Sequence, residues 1–356
     1  MFNFLNFKFD AFGLDISTKS LKIVKIEKKN GKLFIVSFGQ ENIPDGIIEN
    51  GIVKQEEELA NIIQKSLKNI TGKKIKTPYV IISLPEERSY LEVLKIPKVE
   101  DNEIKKIIEL NTQTHIPLPI SECYFNYKKN EVGENYIEVL LAAIPKEVLD
   151  SYINTLKKTN LKAVGMEIES EAIIKAVISS SENTKEPILI IDFGQTRTGL
   201  IFYEKNIIRN TTTIPISAEL FTLAIQKALK VSFEEAEKIK IKNGLIHQEG
   251  EIFDAMVPPL KDLIDQLKLR IDYYEKYGKL NNKTKISKII LCGGGSKLYG
   301  LTNIVQIMIN IKTELANPLL NIYPTKDFIL DKKEALSFTS AIGLAIDGAN
   351  LEETYD

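Results

Sequence analysis

The sequence predicts an α/β protein made of two duplicated domains, because one structural plan occurs twice. Each copy has a short apolar strand, an aspartate, a hydroxyl-rich turn and a second apolar strand. The first copy is Phe12–Val24 with Asp15, and the second is Ile188–Tyr203 with Asp192. Both continue into a third strand-like run, Leu33–Phe38 and Ile207–Ile214. A repeat of this kind indicates the overall architecture more directly than any local pattern does.

Length and composition are those of a globular protein. A chain of 356 residues can form two domains with their own cores. A hydrophobic content of 44% with 27% charged residues is typical of such proteins. A net charge of -1 gives no reason to expect nucleic acid as a partner. Cys123 and Cys292 indicate no disulfide framework, and His115 and His247 offer little material for a metal site.

Neither a membrane span nor a signal peptide is predicted. No apolar run approaches the roughly 18 residues that a span requires. The phenylalanine-rich segment Met1–Phe12 lacks the order of a signal peptide. It is either an arm packed on the first domain or a weak contact with a membrane or partner. We therefore expect a cytoplasmic protein.

The first half alternates helices and strands. Gln55–Asn69 has the apolar spacing of a helix, and Tyr79–Leu84 is a compact strand that ends at Pro85. From Glu86 the pattern becomes β-α-β-β-α, which predicts a small inserted subdomain. Its predicted elements are the strand Arg88–Ile96, the helix Asp101–Leu110, the strands Tyr124–Lys129 and Tyr136–Ile144, and a helix from Val148 to Asn160. The strand Lys162–Ile168 and the helix Ser170–Ser179 return to the first domain.

The second half continues with five further helices and one strand. Ser232 begins one of the helices, and Glu235 completes its capping box. The predicted elements are Ala218–Leu229, a helix from Ser232 to Ile241, the amphipathic helix Pro258–Tyr277, the strand Lys288–Leu291, Leu301–Asn310 and Leu336–Asp347. The predicted domain ranges are 1–85, the insertion 86–155, the return 156–185 and the second domain 186–356.

The aspartate turns and a late glycine run predict a phosphate and metal site. A carboxylate after a buried strand suits a hard cation, and turn N–H and O–H groups suit phosphate. One such stretch alone is usually an ordinary hairpin, but two suggest a nucleotide in the cleft between the domains. Gly293-Gly294-Gly295 would let the backbone approach a base or phosphate, or would form a plain turn. Neither a G-x-G-x-x-G fingerprint nor a P-loop is present.

Together these features resemble the actin-like ATPase superfamily and, within it, the PilM family of type IV pilus assembly. The resemblance covers nearly the whole chain. The resemblance is based on the segments GLDISTKSLKIVKI (13–26), GMEIESEAIIKA (165–176), ILIIDFGQTRTGLIFY (188–203), IPISAELFTLAI (214–225), AEKIK (236–240) and ILCGGGSKLYGL (290–301). It implies an actin-like ATPase fold, with two duplicated ribonuclease-H-like domains and an inserted small subdomain. Leu91–Pro119 is similar to the insertion that this family shares with FtsA.

The resemblance also implies ATP or ADP with Mg²⁺ as cofactors. Asp15 and Asp192 would position the Mg²⁺, and Glu169, with Glu167 as a nearby substitute, would orient the attacking water. The first phosphate loop would comprise Ser17, Thr18, Lys19, Ser20 and Lys22. The second phosphate loop would comprise Gly194, Gln195 and Thr196. Glu237 and Lys240 would contact the ribose, and the adenosine loop would comprise Gly293, Gly294, Gly295 and Ser296.

Three residues depart from the family's pattern. Ser17 replaces a usual glycine, Gly199 replaces a common second aspartate, and Arg197 either binds a phosphate oxygen or faces solvent. These changes leave nucleotide binding in place and predict slow hydrolysis or none. Nucleotide would then act as a clamp or switch between conformations.

The function implied by the resemblance is a cytoplasmic ATP-binding scaffold of type IV pilus assembly. It would capture the cytoplasmic N-terminus of a PilN-like inner-membrane protein in a groove beside the inserted subdomain, and so lie at the inner membrane through its partners. Other pilus components and self-association stay open. The alternatives are an FtsA-like filament protein, a sugar or acetate kinase, and a pseudo-ATPase scaffold. The acidic end Gly348–Asp356 disfavours the first, and the lack of an identifiable catalytic aspartate disfavours the kinase.

Overall fold

The computed structural model describes residues 10–111, 116, 118–179, 186–246, 250–277, 285–325 and 330–351. The chain forms two compact units. Unit 1 comprises Met1–Ser180, Leu319–Leu330 and Ser340–Asp356, and unit 2 comprises Ser181–Pro318 and Asp331–Thr339. The chain therefore returns to unit 1 after completing most of unit 2. The domain ranges given above stay predictions, and each unit is described by itself.

Unit 1 contains eleven strands and four complete helices within the described residues. The strands are β1 (Phe12–Ile16), β2 (Ser20–Lys29), β3 (Lys32–Asn42), β4 (Ile48–Glu49), β5 (Ile52–Val53), β6 (Thr71–Gly72), β7 (Tyr79–Leu84), β8 (Tyr90–Pro97), β9 (Cys123–Val132), β10 (Tyr136–Pro145) and β11 (Lys162–Ile168). The helices are α1 (Glu56–Lys68), α2 (Asp101–Asn111), α3 (Lys146–Lys158) and α4 (Glu169–Val177).

Two sheets organise unit 1. The larger has the order β11-β7-β1-β2-β3-β6, and the smaller has the order β8-β10-β9. Helices α1 and α3 cover one face of the larger sheet with Leu59, Ile63, Val148 and Tyr152. The smaller sheet has a separate core with α2, which contributes Ile104 and Ile108. Thus α3, which the sequence pattern assigned to the insertion, buries its apolar residues in the core of the larger sheet.

Unit 2 has one sheet and a surrounding set of helices. Its elements are β12 (Ile188–Phe193), β13 (Thr198–Glu204), β14 (Ile207–Ile214), α5 (Ala218–Leu229), α6 (Phe233–Asn243), α7 (Glu251–Tyr277), β15 (Lys288–Cys292), α8 (Leu301–Ile309), β16 (Lys312–Leu315) and α9 (Lys332–Ala335). The sheet order is β14-β13-β12-β15-β16. Helix α10 (Thr339–Asn350) starts at the last residue of unit 2 and continues into unit 1.

The topology confirms the predicted duplication. In unit 1, β1 pairs antiparallel with β2 and parallel with β7, β2 pairs antiparallel with β3, and β7 pairs parallel with β11. In unit 2, β12 pairs antiparallel with β13 and parallel with β15, β13 pairs antiparallel with β14, and β15 pairs parallel with β16. The two sheets therefore share strand order and direction over five strands. Asp15 and Asp192 each occupy the next-to-last position of the equivalent strand.

Several elements differ from the sequence prediction. Helix α7 begins at Glu251, before the predicted start at Pro258, and contains Pro258 and Pro259 in its interior. Proline removes a helical hydrogen bond, but Met256 and Pro259 are both buried, which favours the longer helix. The short strands β4, β5 and β16 were not predicted. The last helix begins with a separate turn, Leu336–Phe338, before α10.

Candidate functional site

The first aspartate turn, residues 15–22, is closed by its own hydroxyl groups. Asp15 is buried, and its cross-strand partner is Lys22, whose Nζ lies 3.8 Å from Oδ2 of Asp15. The same ammonium donates to Oγ of Ser20 at 2.9 Å. The N–H and the hydroxyl of Ser17 both donate to the carbonyl oxygen of Ser20, at 2.9 and 3.0 Å. The turn therefore presents a buried carboxylate beside a cation.

Ser17 is the residue that replaces the usual glycine, and its side chain has a structural role. Its hydroxyl bonds stabilise the closed turn rather than obstruct it. Lys19 is directed elsewhere, because it forms an ion pair with Asp45. Thr18 is half-buried and Lys22 is mostly buried. Of the predicted first loop, the turn thus brings Ser17, Ser20 and Lys22 into contact with one another or with Asp15.

Glu169 lies at the same edge of the larger sheet as Asp15. It is the first residue of α4 and follows β11, which runs parallel to β7 and β1. Ser83 on β7 connects the strands, since its Oγ accepts the N–H of Ile16 at 3.0 Å. Glu169 is 7% exposed. Glu167 forms a 2.7 Å ion pair with Lys175, so it is already engaged.

The second aspartate turn, residues 192–199, is held against the first turn of α5. The N–H of Gly194 donates to the carbonyl oxygens of Asp192 and Arg197, at 3.1 and 3.0 Å. The carbonyl oxygens of Gly194 and Gln195 accept the N–H groups of Ala218 and Glu219. These bonds use donors at the N-terminus of α5 and position the loop that also contains Thr196.

The two turns differ in charge at one equivalent position. Lys22 lies opposite Asp15, whereas Gly199 lies opposite Asp192. A side chain at position 199 would find ordinary contact space, with the Cβ of Asp192 at 3.7 Å. Packing therefore does not require glycine at position 199, and the residue paired with Asp192 across the strands carries no charge.

The glycine loop, residues 293–296, packs directly against the end of β12. A Cβ on Gly293 would lie 2.3 Å from Oδ1 of Asp192, and the residue has a φ of +83°. A Cβ on Gly295 would lie 2.7 Å from the carbonyl oxygen of Phe193. Gly294 is exposed, and Ser296 is buried with its hydroxyl donating to the carbonyl oxygen of Gly293 at 2.6 Å. Two of the three glycines are thus required by contacts within unit 2.

Lys240, one of the predicted ribose contacts, is committed to protein partners. Its ammonium donates to the carbonyl oxygen of Ala218 at 3.0 Å and to Oγ1 of Thr222 at 2.7 Å, and lies 2.7 Å from Oε2 of Glu237. These partners account for its three protons. Burial lowers the pKa of Lys240, and the Glu237 carboxylate opposes that change. Glu237 is the more accessible member of the pair, and Thr222 is a contact that the sequence analysis missed.

A groove of about 360 Å³ lies beside β9 in unit 1, and we call it the β9 groove. Its floor is the face of β9 and β10 opposite their own core. The floor side chains are Tyr124, Asn126 and Lys128 from β9 and Leu140, Ala142 and Ile144 from β10. Its walls include Leu84, Leu149, Met166, Ile168 and Glu171. The groove therefore lies on the small sheet of unit 1, between that sheet and the elements β7, β11, α3 and α4.

The sequence contains a signal for this groove that was not used. The run Val139–Ile144 is apolar at every position. A strand that is apolar on both faces is covered on both faces. Val139 and Leu141 fill the small core, and Leu140 and Ile144 on the other face are buried as well.

The donor chemistry is compatible with Mg²⁺ held partly by phosphate. Mg²⁺ usually takes one or two protein carboxylates and leaves other positions to water and substrate phosphates. Each aspartate turn offers one carboxylate. Within the described residues, no cluster of three or more His, Cys, Asp or Glu could hold a metal by itself. His115 and His247, like most of the phenylalanine-rich segment and residues 352–356, lie outside the described residues.

None of the helices in the described ranges combines the length and the apolar character needed to span a bilayer.

The chain matches known proteins over most of its length. The family model described as type IV pilus assembly protein PilM matches residues 13–349. Cell division protein FtsA of Buchnera aphidicola subsp. Schizaphis graminum is 23% identical over 356 aligned residues, covering 86% of this chain and 84% of that protein. FtsA of Staphylococcus epidermidis is 20% identical, covering 86% and 74%.

Solved structures show the same fold. A PilM-PilN type IV pilus biogenesis complex aligns with a TM-score of 0.84 and 22% identity, covering 96% of this chain and 98% of that one. MreB5 of Spiroplasma citri bound to ADP aligns with a TM-score of 0.53 and 12% identity, covering 92% and 94%. The chain has the actin-like fold that its sequence predicted.

Proposed function

Because the chain belongs to the PilM family of type IV pilus assembly proteins, we propose that it is a nucleotide-binding scaffold that docks the cytoplasmic N-terminus of a PilN-like inner-membrane protein. The observation that carries this proposal is the β9 groove, a largely apolar channel beside an edge strand. The similar structure whose title names PilN supports the choice of partner. Docking of this kind would hold the protein at the inner membrane through its partner.

The groove suits a peptide in extended conformation. Within the described residues β9 pairs only with β10, so its outer edge keeps backbone N–H and C=O groups for another strand. Strand addition derives affinity from backbone hydrogen bonds and specificity from side-chain pockets. Leu140, Ala142 and Ile144 provide an apolar floor for alternate side chains of such a peptide.

The peptide site is tested by filling the groove. Ala142→Arg places a long charged side chain on the floor, and we expect it to reduce the affinity for a synthetic N-terminal peptide of the PilN-like protein by at least about tenfold. Asn154→Arg, on the exposed side of α3, adds the same charge outside the groove and should bind normally. Calorimetric titration measures both. Unchanged binding by Ala142→Arg would exclude the groove as the docking site.

We also propose that the two aspartate turns bind ATP or ADP with Mg²⁺. Asp15 and Asp192 are the metal-positioning carboxylates, and the bound metal would neutralise phosphate charge. Ser17, Ser20 and Lys22 of the first turn contact the phosphates, and so does the turn around Gly194. The two phosphate loops are completed by Thr18 and by Gln195–Thr196. The nucleoside is contacted by Gly293–Ser296 and Glu237. Lys19 belongs to the first loop but pairs with Asp45, and Lys240 positions Glu237. Glu169 orients water in at most slow hydrolysis.

Titration with ATP and ADP, with and without Mg²⁺, tests the nucleotide site. Asp192→Asn keeps the shape that packs on Gly293 and removes the charge, so we expect loss of the Mg²⁺-dependent part of binding. Peptide binding by the same variant should be unchanged, since Asp192 and the β9 groove belong to different units. No nucleotide binding by folded, nucleotide-free wild-type protein would favour the pseudo-ATPase scaffold.

The FtsA relatives favour a filament-forming protein as a second candidate. ATP-dependent polymers that sediment without lipid, together with no peptide binding, would support that reading over the scaffold.

A further inference from the structure

Glu171 is a carboxylate in the wall of the β9 groove. It lies in the first turn of α4 and is partly buried. It makes no hydrogen bond or ion pair with any described residue. Burial raises the pKa of Glu171, and the nearby Glu167 adds to that effect. A carboxylate in this state is poorly solvated and gains from a cation placed beside it.

The neighbouring cations do not meet this need. Lys175 is on the same helix, but its ammonium is already shared between Glu167 and Asp347. Lys128 is the other charged residue of the groove, and it stands exposed on β9 without an ion pair to Glu171. Both lower the pKa of Glu171 only through distant charge, while Glu167 and Glu86 raise it.

We propose that Glu171 binds a cationic group of the docked peptide and makes that cation a requirement for docking. The cation is a lysine or arginine side chain or the peptide's own α-ammonium group. The inference rests on the proposed function, because it assigns a specificity determinant within the same groove. Apolar floor residues accept many extended segments, whereas a buried carboxylate accepts only those that supply a positive charge at the right place.

The test compares two charge-removing variants of the groove. Glu171→Gln keeps the shape and removes the charge, and Lys128→Met removes the cation on the opposite side. With the synthetic N-terminal peptide, we expect Glu171→Gln to weaken binding about 10- to 100-fold, the range for a lost charge-assisted bond. Lys128→Met should strengthen binding of the cationic peptide, because it removes a like charge from the floor of the groove. The opposite pattern would mean that the groove selects an anionic segment, and would overturn the proposal.

Modified peptides identify the cation. Each lysine or arginine is replaced by glutamine in turn, and the α-amino group is acetylated in another peptide. One of these changes should weaken binding to wild type by a similar factor and have little further effect on Glu171→Gln, as expected for two groups in direct contact. Equal losses in both proteins would show that the cation interacts elsewhere, which contradicts the proposal.

Two further measurements separate recognition from folding. Because burial disfavours the charged form of Glu171, Glu171→Gln should unfold at the same temperature as wild type or higher. Peptide affinity of the wild type should fall as the pH is lowered through the raised pKa of Glu171, and that dependence should be absent in Glu171→Gln.

If the wild type binds peptide and Glu171→Gln binds it equally well, this inference alone is wrong. If the wild type binds no peptide, the proposed function fails with it.

Discussion

Single residues in this chain show how one side chain can serve the fold and the proposed site together. Ser17 replaces a glycine of the family pattern, yet its hydroxyl closes the first aspartate turn through Ser20. Gly293 leaves room for the carboxylate of Asp192, and Gly295 leaves room for the backbone of Phe193. The packing of unit 2 is therefore sufficient to explain why both positions are glycine.

The glycine loop allows a matched pair of substitutions. Gly295→Ala brings a methyl group to 2.7 Å from the carbonyl oxygen of Phe193, so we expect it to destabilise unit 2 by about 1–3 kcal/mol. Gly294→Ala meets only the Ser337 hydroxyl, at 3.3 Å, and should cost less than about 1 kcal/mol. Denaturant titration of both variants checks the difference. Equal stabilities would contradict the packing role assigned to Gly295.

At the scale of elements, the glycine loop, the second aspartate turn and α6 are joined to the start of α5. The turn carbonyls accept N–H groups from Ala218 and Glu219, and Lys240 donates to the carbonyl oxygen of Ala218. A buried ammonium needs hydrogen-bond partners that replace water, and Thr222 and Glu237 provide the others. The start of α5 thus helps to position α6 and leaves Glu237 more accessible than Lys240.

The whole molecule carries one free buried cysteine in each unit, and these report on each unit separately. Burial raises the pKa of both thiols, that of Cys292 well above its usual value with the Asp192 carboxylate adding to the effect. Because the thiolate is the reactive form, we expect neither to react with a thiol reagent at neutral pH in the native protein. Both should react after denaturation.

Mass spectrometry of partly denatured samples would assign the modified residue. Modification of Cys292 before Cys123 would show that unit 2 opens first, and the reverse order that unit 1 does. Rapid modification of native Cys292 would contradict its burial against β12.

The sequence by itself determined the features that depend on local pattern. Tyr79–Leu84, Lys162–Ile168 and Ala218–Leu229 were predicted with the bounds that the structure shows, because their apolar runs end at turn signals. The predicted N-cap at Ser232 is confirmed, because its Oγ accepts the Glu235 N–H at 3.2 Å. The repeated aspartate turns also predicted the duplication, since a repeat is visible without any knowledge of contacts.

Only the tertiary structure decided which side chains have hydrogen-bond or ion-pair partners within the protein. Lys240 and Lys19 have the residue types of ligand contacts, but their partners Ala218 and Asp45 are remote in sequence. The start of α7 and the short strand β16 depend on burial and pairing, which no local window contains. The β9 groove, with Glu171 in its wall, arises because α4 and β11 meet the outer face of a different sheet. Periodicity records which faces are apolar, whereas a binding site depends on which faces meet and which polar groups remain without partners.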